Sequence, residues 1–373
     1  MTAPRPLAEL TTLRLGGPPA RLVEAGSEAE LLAAVRAADD AGEPLLVLGG
    51  GSNVVVADAG FPGAVVRDVR SGITVEDMSG SCGGVSIRVP AGTPWEDVVD
   101  RAVGEGWIGV EALAGIPGST GATPVQNVGA YGQEVAGVVA TVRTWDRAER
   151  RVRTLALTDL EFGYRTSLLK RSMRADDGAG FTPTPRYVVL DVGFQLRIGR
   201  LSAPVEYPEL ARLLDIPLGS AAPLADVRSA VLALRARKGM VVDAADPDTW
   251  SAGSFFTNPV LPAALADGLP EGAPRYAVRS ARPSFTAGAS LGAIDETLVK
   301  TSAAWLIEHA GFGRGFGLPG PVGLSTKHAL ALTNRGDGTT AQLLTLARTV
   351  RDGVREAFGI TLEPEPVLVG VTL

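Results

Sequence analysis

The segment that decides the fold spans residues 115–132 and reads GIPGSTGATPVQNVGAYG. Its glycines recur too often for a regular helix or strand, and glycine lets the backbone approach a bound molecule closely. Apolar residues alternate with Ser, Thr, Gln and Asn, a pattern that suits a flat, uncharged heteroaromatic ring needing backbone hydrogen bonds. A structureless stretch of this length inside a domain is usually functional. The alternative is a surface Ω-loop, but the low charge of the segment argues against full exposure.

A second glycine-rich loop, GGGSN at residues 49–53, directly follows a predicted buried strand at 44–48. The exposed backbone N–H groups of such a loop can bind a phosphate or pyrophosphate. The loop is not the dinucleotide fingerprint, because the third glycine would fall at Val54 and no helical pattern follows. No Gly-Lys-Ser/Thr triplet is present, which argues against a nucleoside-triphosphate loop. An ordinary tight turn is the alternative.

Around these loops the hydrophobic pattern predicts a mixed α+β chain. Helices are predicted to begin after Ser27 and Thr93 and to span 223–237, 297–310 and 339–358, with strands at 44–48, 54–57, 64–69, 85–89, 138–145, 151–157, 186–196 and 329–333. The charged stretch 147–153 fits a solvated hairpin tip better than a phosphate site. The pattern becomes strand-rich near residue 67 and changes again near 215, which indicates an α/β, a β-rich and an α+β piece.

Composition excludes several classes of protein. The chain has 373 residues and a net charge of −6, which argues against nucleic-acid binding. It has no apolar run long enough to span a membrane and no apolar signal peptide, so a cytoplasmic protein is expected. One cysteine, Cys82, excludes an internal disulfide, and two histidines leave little for a metal site, so none is predicted.

Six motifs in order resemble one enzyme family. They are GGGSN at 49–53, IPGSTGA at 116–122, PVQNVGAYG at 124–132, GYRTS at 163–167, GSFFTNP at 253–259 and LEPE at 362–365. Together they resemble the UDP-N-acetylenolpyruvoylglucosamine reductases (MurB) along essentially the whole chain. The glycine loops alone would indicate only the wider vanillyl-alcohol-oxidase-like FAD fold.

The resemblance implies a vanillyl-alcohol-oxidase/PCMH-like FAD-binding fold of two subdomains, 1–66 and 67–215, followed by an α+β substrate-binding domain, 216–365. Residues 366–373 are expected to pack back on the first subdomain. It further implies a monomeric enzyme with non-covalently bound FAD. The enzyme is expected to use NADPH to reduce UDP-N-acetylglucosamine enolpyruvate to UDP-N-acetylmuramate, a peptidoglycan precursor. The expected FAD-binding residues are Gly49, Gly50, Gly51, Ser52, Asn53, Gly118, Ser119, Gly121, Ala122, Gln126, Asn127, Gly129 and Tyr131.

Three residues match the family's catalytic positions. Reduction of the enolpyruvyl double bond develops negative charge beside the substrate carboxylate, and a proton must then reach the α-carbon. Arg165 would brace the enolic carboxylate with its planar fork of donors. Ser254 matches the proton donor, and Glu365 matches the carboxyl group that assists at the enolic intermediate. Glu363 is the rival for this last role, and each residue taken singly also fits an ordinary structural position.

Four further residues are expected on the substrate side. Tyr207 resembles the tyrosine of the loop that covers the diphosphate in the family's first type. Lys238 and Asn258 match polar positions that contact the UDP phosphates, and His328 matches a UDP-contacting residue. A dipole interaction at a helix C-terminus is the alternative for Lys238, and a surface position is the alternative for His328.

Two features have no counterpart in the family pattern. Residues 171–185 read as a flexible surface loop, and Cys82 falls in a predicted turn between strands. Two alternative functions remain open at this point. One is an FAD oxidase or dehydrogenase of the same wider fold that acts on an alcohol. The other is a non-catalytic nucleotide-sugar binding protein.

Overall fold

The computed structural model describes residues 5–78, 84–174, 182–279 and 293–373. Cys82 and the central part of the predicted loop at 171–185, namely 175–181, lie outside the described residues. The chain divides into two compact units. The first unit comprises residues 1–20, 51–61 and 242–373, and the second comprises 21–50 and 62–241. The three predicted domain boundaries stay a prediction.

Strands and short helices alternate along the described residues. The strands are β1 Pro19–Ala25, β2 Leu45–Leu48, β3 Val54–Val56, β4 Phe61–Asp68, β5 Thr74–Asp77, β6 Gly84–Pro90, β7 Trp107–Ile108, β8 Gly129–Ala130, β9 Gln133–Glu134, β10 Val139–Asp146, β11 Arg151–Ala156, β12 Tyr187–Ile198, β13 Val260–Pro262, β14 Tyr276–Arg279, β15 Ile294–Lys300, β16 Val322–Leu324, β17 Leu332–Asn334 and β18 Val367–Val369. The α-helices are α1 Glu28–Asp40, α2 Trp95–Glu105, α3 Leu168–Arg171, α4 Pro208–Leu213, α5 Leu224–Arg237, α6 Ala263–Asp267, α7 Ala303–His309 and α8 Thr340–Phe358. Short 3₁₀ segments lie at Leu7–Leu10, Glu111–Leu113, Thr120–Ala122, Val135–Gly137, Leu157–Leu160 and Pro247–Thr249.

The second unit is built on an antiparallel sheet with the strand order β11-β10-β12-β6-β5, and β7 pairs with β12. In β6, Val85, Ile87 and Val89 point into the core while the residues between them are half-buried. This alternation is the period of a strand with one buried face. Helices α2 and α5 pack their apolar residues into the same core. The predicted hairpin is confirmed as β10 and β11, whose last pair is Asp146 with Arg151.

A smaller sheet of order β1-β4-β2 carries α1 in the same unit. The hydroxyl of Ser27 accepts a hydrogen bond from the Glu30 N–H (3.2 Å) and caps α1. The Glu30 carboxylate accepts from the Gly26 N–H (2.8 Å). The predicted helix start is therefore confirmed, with the carboxylate bonded one residue earlier than a capping box requires.

The first unit contains the parallel pair β3–β18, the pair β16–β17, a sheet of order β13-β15-β14 and the long helix α8. Helix α8 begins with a reciprocal capping box between Thr339 and Gln342 and ends at Gly359, whose φ is 69°. Glycine suits this left-handed position because it has no Cβ. Within the described residues, no helix combines the length and apolarity needed to cross a membrane.

One predicted helix is wrong at its start. Residues 297–300 belong to β15, which pairs with β13 and β14, and α7 begins only at Ala303. Thr297, Leu298 and Val299 fit both a helical stripe and a strand, and the pairing with two neighbouring strands decides between them. The helix starts at the Ser302 hydroxyl, which accepts from the Trp305 N–H (3.2 Å).

Candidate active site

The two glycine-rich segments touch each other backbone to backbone in the second unit. A Cβ added to Gly50 would lie 2.5 Å from the Cα of Gly118, and one added to Gly49 would lie 2.5 Å from the Ser119 hydroxyl and 3.5 Å from the Cβ of Ala122. Real Cβ atoms do not approach backbone so closely, so glycine is required at residue 50, whereas at residue 49 the Ser119 hydroxyl would have to move. This contact brings the first two predicted cofactor-binding glycines beside the second glycine segment.

Backbone hydrogen bonds hold the second glycine segment in place. Thr120 donates to the Thr93 carbonyl through its N–H (2.8 Å) and its hydroxyl (2.9 Å). The Gly121 N–H donates to the Ala91 carbonyl (2.8 Å), and a Cβ at Gly121 would meet that of Ala91 at 2.4 Å. The segment is therefore a rigid, close-packed surface rather than the Ω-loop considered above.

The remainder of the first loop belongs to the other unit, because the chain passes between units after Gly50. Gly51 has a φ of 65°, and its carbonyl accepts from the Thr12 N–H (3.1 Å). Ser52 is half-buried beside it. The Asn53 amide Nδ2 donates to the Glu365 carbonyl (3.4 Å), and its own carbonyl accepts from the Val367 N–H (2.9 Å). The loop end and the predicted catalytic glutamate are thus joined directly.

Asn127 is the hydrogen-bonding centre of residues 126–131. It is buried with a φ of 49°, and its Nδ2 donates to Glu134 (2.7 Å) and to the Gly163 carbonyl (3.2 Å). Its Oδ1 accepts from the Ala136 N–H (3.1 Å). Gln126 is half-buried next to it, and its Oε1 lies 3.5 Å from Lys170 Nζ. Glu134 was not predicted, because a single acidic residue carries no signal of the side-chain contact with Asn127.

Arg165 lies on the turn Gly163–Thr166 with a φ of 52°. Its guanidinium donates to the Gly129 carbonyl (2.8 Å) and, at 3.4 Å, to the Asn127 carbonyl. These bonds orient the predicted carboxylate-binding arginine against the second glycine segment. Arg165 and the predicted flavin-binding residues 126–131 are therefore brought together within one unit.

A polar and aromatic cluster of the same unit contains Tyr131, Tyr207 and Lys238. The two tyrosine rings meet edge to face with centroids 5.1 Å apart, and Lys238 Nζ lies 5.8 Å from the centre of the Tyr131 ring. Lys238 forms an ion pair with Glu209 at 2.6 Å. Burial alone would lower the pKa of Lys238, but the hydrogen bond to Glu209 and the electrostatic effects of Tyr131, Tyr207 and Glu209 together outweigh it and hold the pKa above its usual value. Burial also raises the pKa of the Tyr131 hydroxyl.

Arg235 was not predicted and lies one turn before Lys238 on α5. Its Nη2 donates to the Met240 carbonyl (2.8 Å), while its Nε is buried with no hydrogen-bond partner among the described residues. Burial lowers the pKa of this guanidinium. The cluster therefore holds two cations, which suits an anionic ligand.

Ser254 and Glu365 are joined by the main chain of Phe255 in the first unit. The Phe255 N–H donates to the Leu330 carbonyl (2.8 Å), and its carbonyl accepts from the Glu365 N–H (2.9 Å). Ser254 and Glu365 are both half-buried, whereas the rival Glu363 is exposed. The predicted proton donor and carboxyl group therefore lie on adjacent hydrogen-bonded segments.

Asn258 and His328 lie in the same unit. The Asn258 Oδ1 accepts from the Ala303 N–H (2.9 Å), which orients its amide group at the start of α7. His328 is half-buried in the turn before β17, and its carbonyl accepts from the Ala331 N–H (3.1 Å). The described residues contain no cluster of three or more His, Cys, Asp or Glu side chains arranged to hold a metal ion.

The fold and the glycine segments define a flavoprotein, and comparison with known proteins gives the same class. Residues 19–154 match the family model of an FAD binding domain. Residues 246–369 match that of the C-terminal domain of UDP-N-acetylenolpyruvoylglucosamine reductase. The chain belongs to the UDP-N-acetylenolpyruvoylglucosamine reductase family, since full-length relatives with that name are about half identical to it.

Two relatives illustrate the similarity. The reductase of Thermobifida fusca is 53% identical over 371 residues, covering 99% of this chain and 98% of its own. That of Cutibacterium acnes is 51% identical over 370 residues, covering 99% and 90%. The crystal structure of the reductase (MurB) from Thermus caldophilus has the same fold, with a TM-score of 0.57 at 23% identity over 98% of this chain and 97% of its own. The predicted family, fold class and flavin-dependent oxidoreductase activity are thereby confirmed.

Proposed function

We propose that the protein reduces UDP-N-acetylglucosamine enolpyruvate to UDP-N-acetylmuramate, with NADPH as reductant and FAD as cofactor. The reaction supplies a peptidoglycan precursor in the bacterial cytoplasm. It would thereby serve cell-wall synthesis, cell shape and cell division. We also propose that the enzyme works as a monomer with the three domains predicted above. The observation that carries the proposal is the hydrogen-bonded pairing of Phe255, next to Ser254, with Glu365.

The residues at the glycine segments fit FAD. The Gly50 backbone packs on the Gly118 backbone, and Gly49 lies beside Ser119 and Ala122, so the two glycine-rich segments are close together. Glycine backbone N–H groups of this kind can bind a pyrophosphate. When bound, FAD carries hydride from NADPH to the substrate's methylene carbon. This chain's own residues bind it, exclude water and handle charge and protons.

Arg165 would stabilise the charge that develops on the substrate. Reduction of the double bond leaves negative charge next to the substrate carboxylate, and a guanidinium can bind that carboxylate with two parallel hydrogen bonds. The bonds from Arg165 to the carbonyls of Gly129 and Asn127 fix the side chain before substrate arrives. Such preorganised donors lower the barrier most, because they need no reorganisation during the reaction.

Ser254 would donate the proton to the α-carbon. A serine hydroxyl is a weak acid, but the protonated centre is strongly basic, so the transfer is reasonable. Glu365 would assist at the enolic intermediate from the adjacent segment. Gly253, with a φ of 74°, gives the backbone turn before Ser254, and a Cβ there would meet nothing within 4 Å.

The UDP part of the substrate would be held by Tyr207, Lys238, Asn258 and His328. Lys238 offers a cation to the diphosphate, and the amide of Asn258 is oriented by its bond to the Ala303 N–H. Tyr207 is 37% exposed and packs edge to face on Tyr131, so its hydroxyl can reach a ligand without the ring leaving its partner.

A stopped-flow experiment tests the proposal. The purified flavoprotein is reduced anaerobically with NADPH, and the bleached flavin is then mixed with UDP-N-acetylglucosamine enolpyruvate. Rapid return of the oxidised flavin spectrum is expected, and a failure to return contradicts the proposed substrate.

The Ser254→Ala variant should slow this reoxidation while flavin reduction by NADPH stays intact, because only reoxidation needs the proton. Ser71→Ala, an exposed serine, is the matched control, and equal slowing of both half-reactions would contradict the proton-donor role.

A further inference from the structure

Asp248 is a buried carboxylate that no family motif covers. It lies in the 3₁₀ segment Pro247–Thr249, and its side chain is 8% exposed. It accepts hydrogen bonds from the Thr326 N–H (2.9 Å), the Thr326 hydroxyl, the Ser325 hydroxyl and Arg335 Nη1 (3.1 Å). Burial alone would raise the pKa of Asp248, but these donors outweigh it and hold the pKa below its usual value. Asp248 is therefore an anion at every pH near neutrality.

Asp248 bonds to the turn 325–331. This turn contains His328, a predicted substrate-binding residue, and is hydrogen-bonded to Phe255, which is next to the predicted proton donor Ser254. His328 lies two residues after Thr326, and its carbonyl closes the turn by accepting from the Ala331 N–H (3.1 Å). The Ser325 N–H donates to the Ala331 carbonyl (2.8 Å), and the next carbonyl back, that of Leu330, accepts from the Phe255 N–H (2.8 Å). A path of hydrogen bonds and main-chain links thus runs from Asp248, through the turn, to the residue beside Ser254.

The other ion pair on this turn is a weaker anchor. Lys327 Nζ contacts Asp246 at 2.5 Å, but the two side chains are 37% and 28% exposed. Exposed pairs of this kind contribute little, because water screens them and their side chains lose entropy. The Asp248 side chain, by contrast, is shielded from water, and it accepts hydrogen bonds from both the N–H and the hydroxyl of Thr326. Of the two side-chain anchors of this turn, Asp248 is therefore the stronger.

We propose that Asp248 is a positioning residue for the reaction: its carboxylate holds the turn 325–331, and through the Leu330–Phe255 bond it sets where Ser254 stands. The inference rests on the proposed function of Ser254. An asparagine at 248 would keep the size but lose the negative charge beside Arg335 and replace one acceptor oxygen by an NH₂ group. The Thr326 N–H and the Arg335 guanidinium can only donate, so they would compete for the one remaining oxygen. The turn would shift, and a shift of about 1 Å at a catalytic group can slow a reaction about a hundredfold.

The test compares the two half-reactions of Asp248→Asn. Flavin reoxidation by UDP-N-acetylglucosamine enolpyruvate should slow by about ten- to a hundredfold. Flavin reduction by NADPH should change by no more than about twofold, as expected away from the affected group. Asp243→Asn is the matched control, since Asp243 is exposed on the same segment and its carboxylate accepts from the Ala245 N–H. Equal slowing of both half-reactions, or none, would overturn the proposal.

A double variant separates positioning from stability. Asp248→Asn leaves Arg335 as a cation without its carboxylate partner, which lowers the melting temperature. Adding Arg335→Gln removes that charge and should restore the melting temperature while reoxidation stays slow. If reoxidation recovers together with the melting temperature, Asp248 is merely structural. If wild-type protein itself is not reoxidised by the substrate, the proposed function fails rather than this inference.

Discussion

The contact between the two glycine segments predicts that Gly50→Ala weakens FAD binding. The new Cβ would lie 2.5 Å from the Cα and 2.9 Å from the carbonyl carbon of Gly118, whereas ordinary contacts begin at 3.4 Å. Both contacting atoms belong to the backbone, so the segments must separate by almost 1 Å. Apoprotein can relax by that separation, but FAD needs both segments at their native spacing, so the strain appears as lost affinity.

The magnitude follows from the usual penalty for overpacking. Inserting a carbon into a tightly packed site costs about 1–3 kcal/mol, which corresponds to a dissociation constant for FAD raised about 5- to 150-fold. The measurement is a titration of apoprotein with FAD, followed by flavin fluorescence, together with thermal unfolding of the apoprotein.

Gly104→Ala is the matched control for this change. Gly104 lies inside helix α2, and a Cβ there meets nothing within 4 Å. The alanine should raise the free energy of unfolding by about 0.5–1 kcal/mol through helix propensity and leave FAD affinity unchanged. Wild-type FAD affinity in Gly50→Ala, or equal losses in both variants, would refute the close approach of the two segments as the basis of binding.

Three further predictions concern side chains. Glu365→Gln should lower turnover by about a hundredfold or more, as loss of an acid–base group does, whereas exposed Glu363→Gln should stay within about twofold of wild type; steady-state assays compare them. Lys238→Met should raise KM for the UDP substrate about tenfold, because a charge-assisted hydrogen bond to phosphate is lost. Asp146→Asn should lower the free energy of unfolding by about 2–3 kcal/mol, since Asp146 is fully buried against Arg186. Burial alone would raise the pKa of Asp146, but Arg186 outweighs it and lowers the pKa, so the stabilisation is present above about pH 4 and is lost as the pH falls.

Each of these has a control and a contradicting result. A larger loss in Glu363→Gln than in Glu365→Gln would transfer the role to the exposed carboxylate. Arg237 is an exposed cation next to Lys238, and Arg237→Met should leave KM unchanged. If KM rose equally in both variants, the effect of Lys238 would come from overall charge and not from a specific contact. Asp40→Asn breaks the exposed ion pair with Arg150 and should change the free energy of unfolding by less than about 0.5 kcal/mol at any pH. If this variant changed the pH dependence of stability as much as Asp146→Asn does, burial would not explain the effect of Asp146.

Local motifs made much of the site predictable. The residues between Gly115 and Gly132 carry their own conformational requirements, so their irregular structure follows from the sequence alone. Strands with one buried face, such as β6, are also predictable, because apolar and polar residues alternate along them. The arginine, serine and glutamate motifs then narrowed the resemblance to the family, since they add chemistry that the glycine loops lack.

Contacts between distant residues could not be predicted. Asp248 meets Thr326 across 78 positions, and neither residue stands in a recognisable motif. Glu209 reaches Lys238 across 29 positions, and a single acidic residue carries no signal of its partner. The strand β15 was missed for a related reason: its apolar spacing fits a helix, and only the neighbouring strands determine its conformation.

The pairing of β3 with β18 has a consequence for synthesis on the ribosome. Val54 lies beside Val367, so a growing chain makes β3 long before its partner. Residues 62–241 can condense while translation continues, because most of their partners have already been made. The segment from Gly51 to Val56 must wait until β18 has been synthesised, and the Asn53–Val367 bond forms only then. FAD loading is thus expected to follow the synthesis of β18 rather than that of the glycine loops.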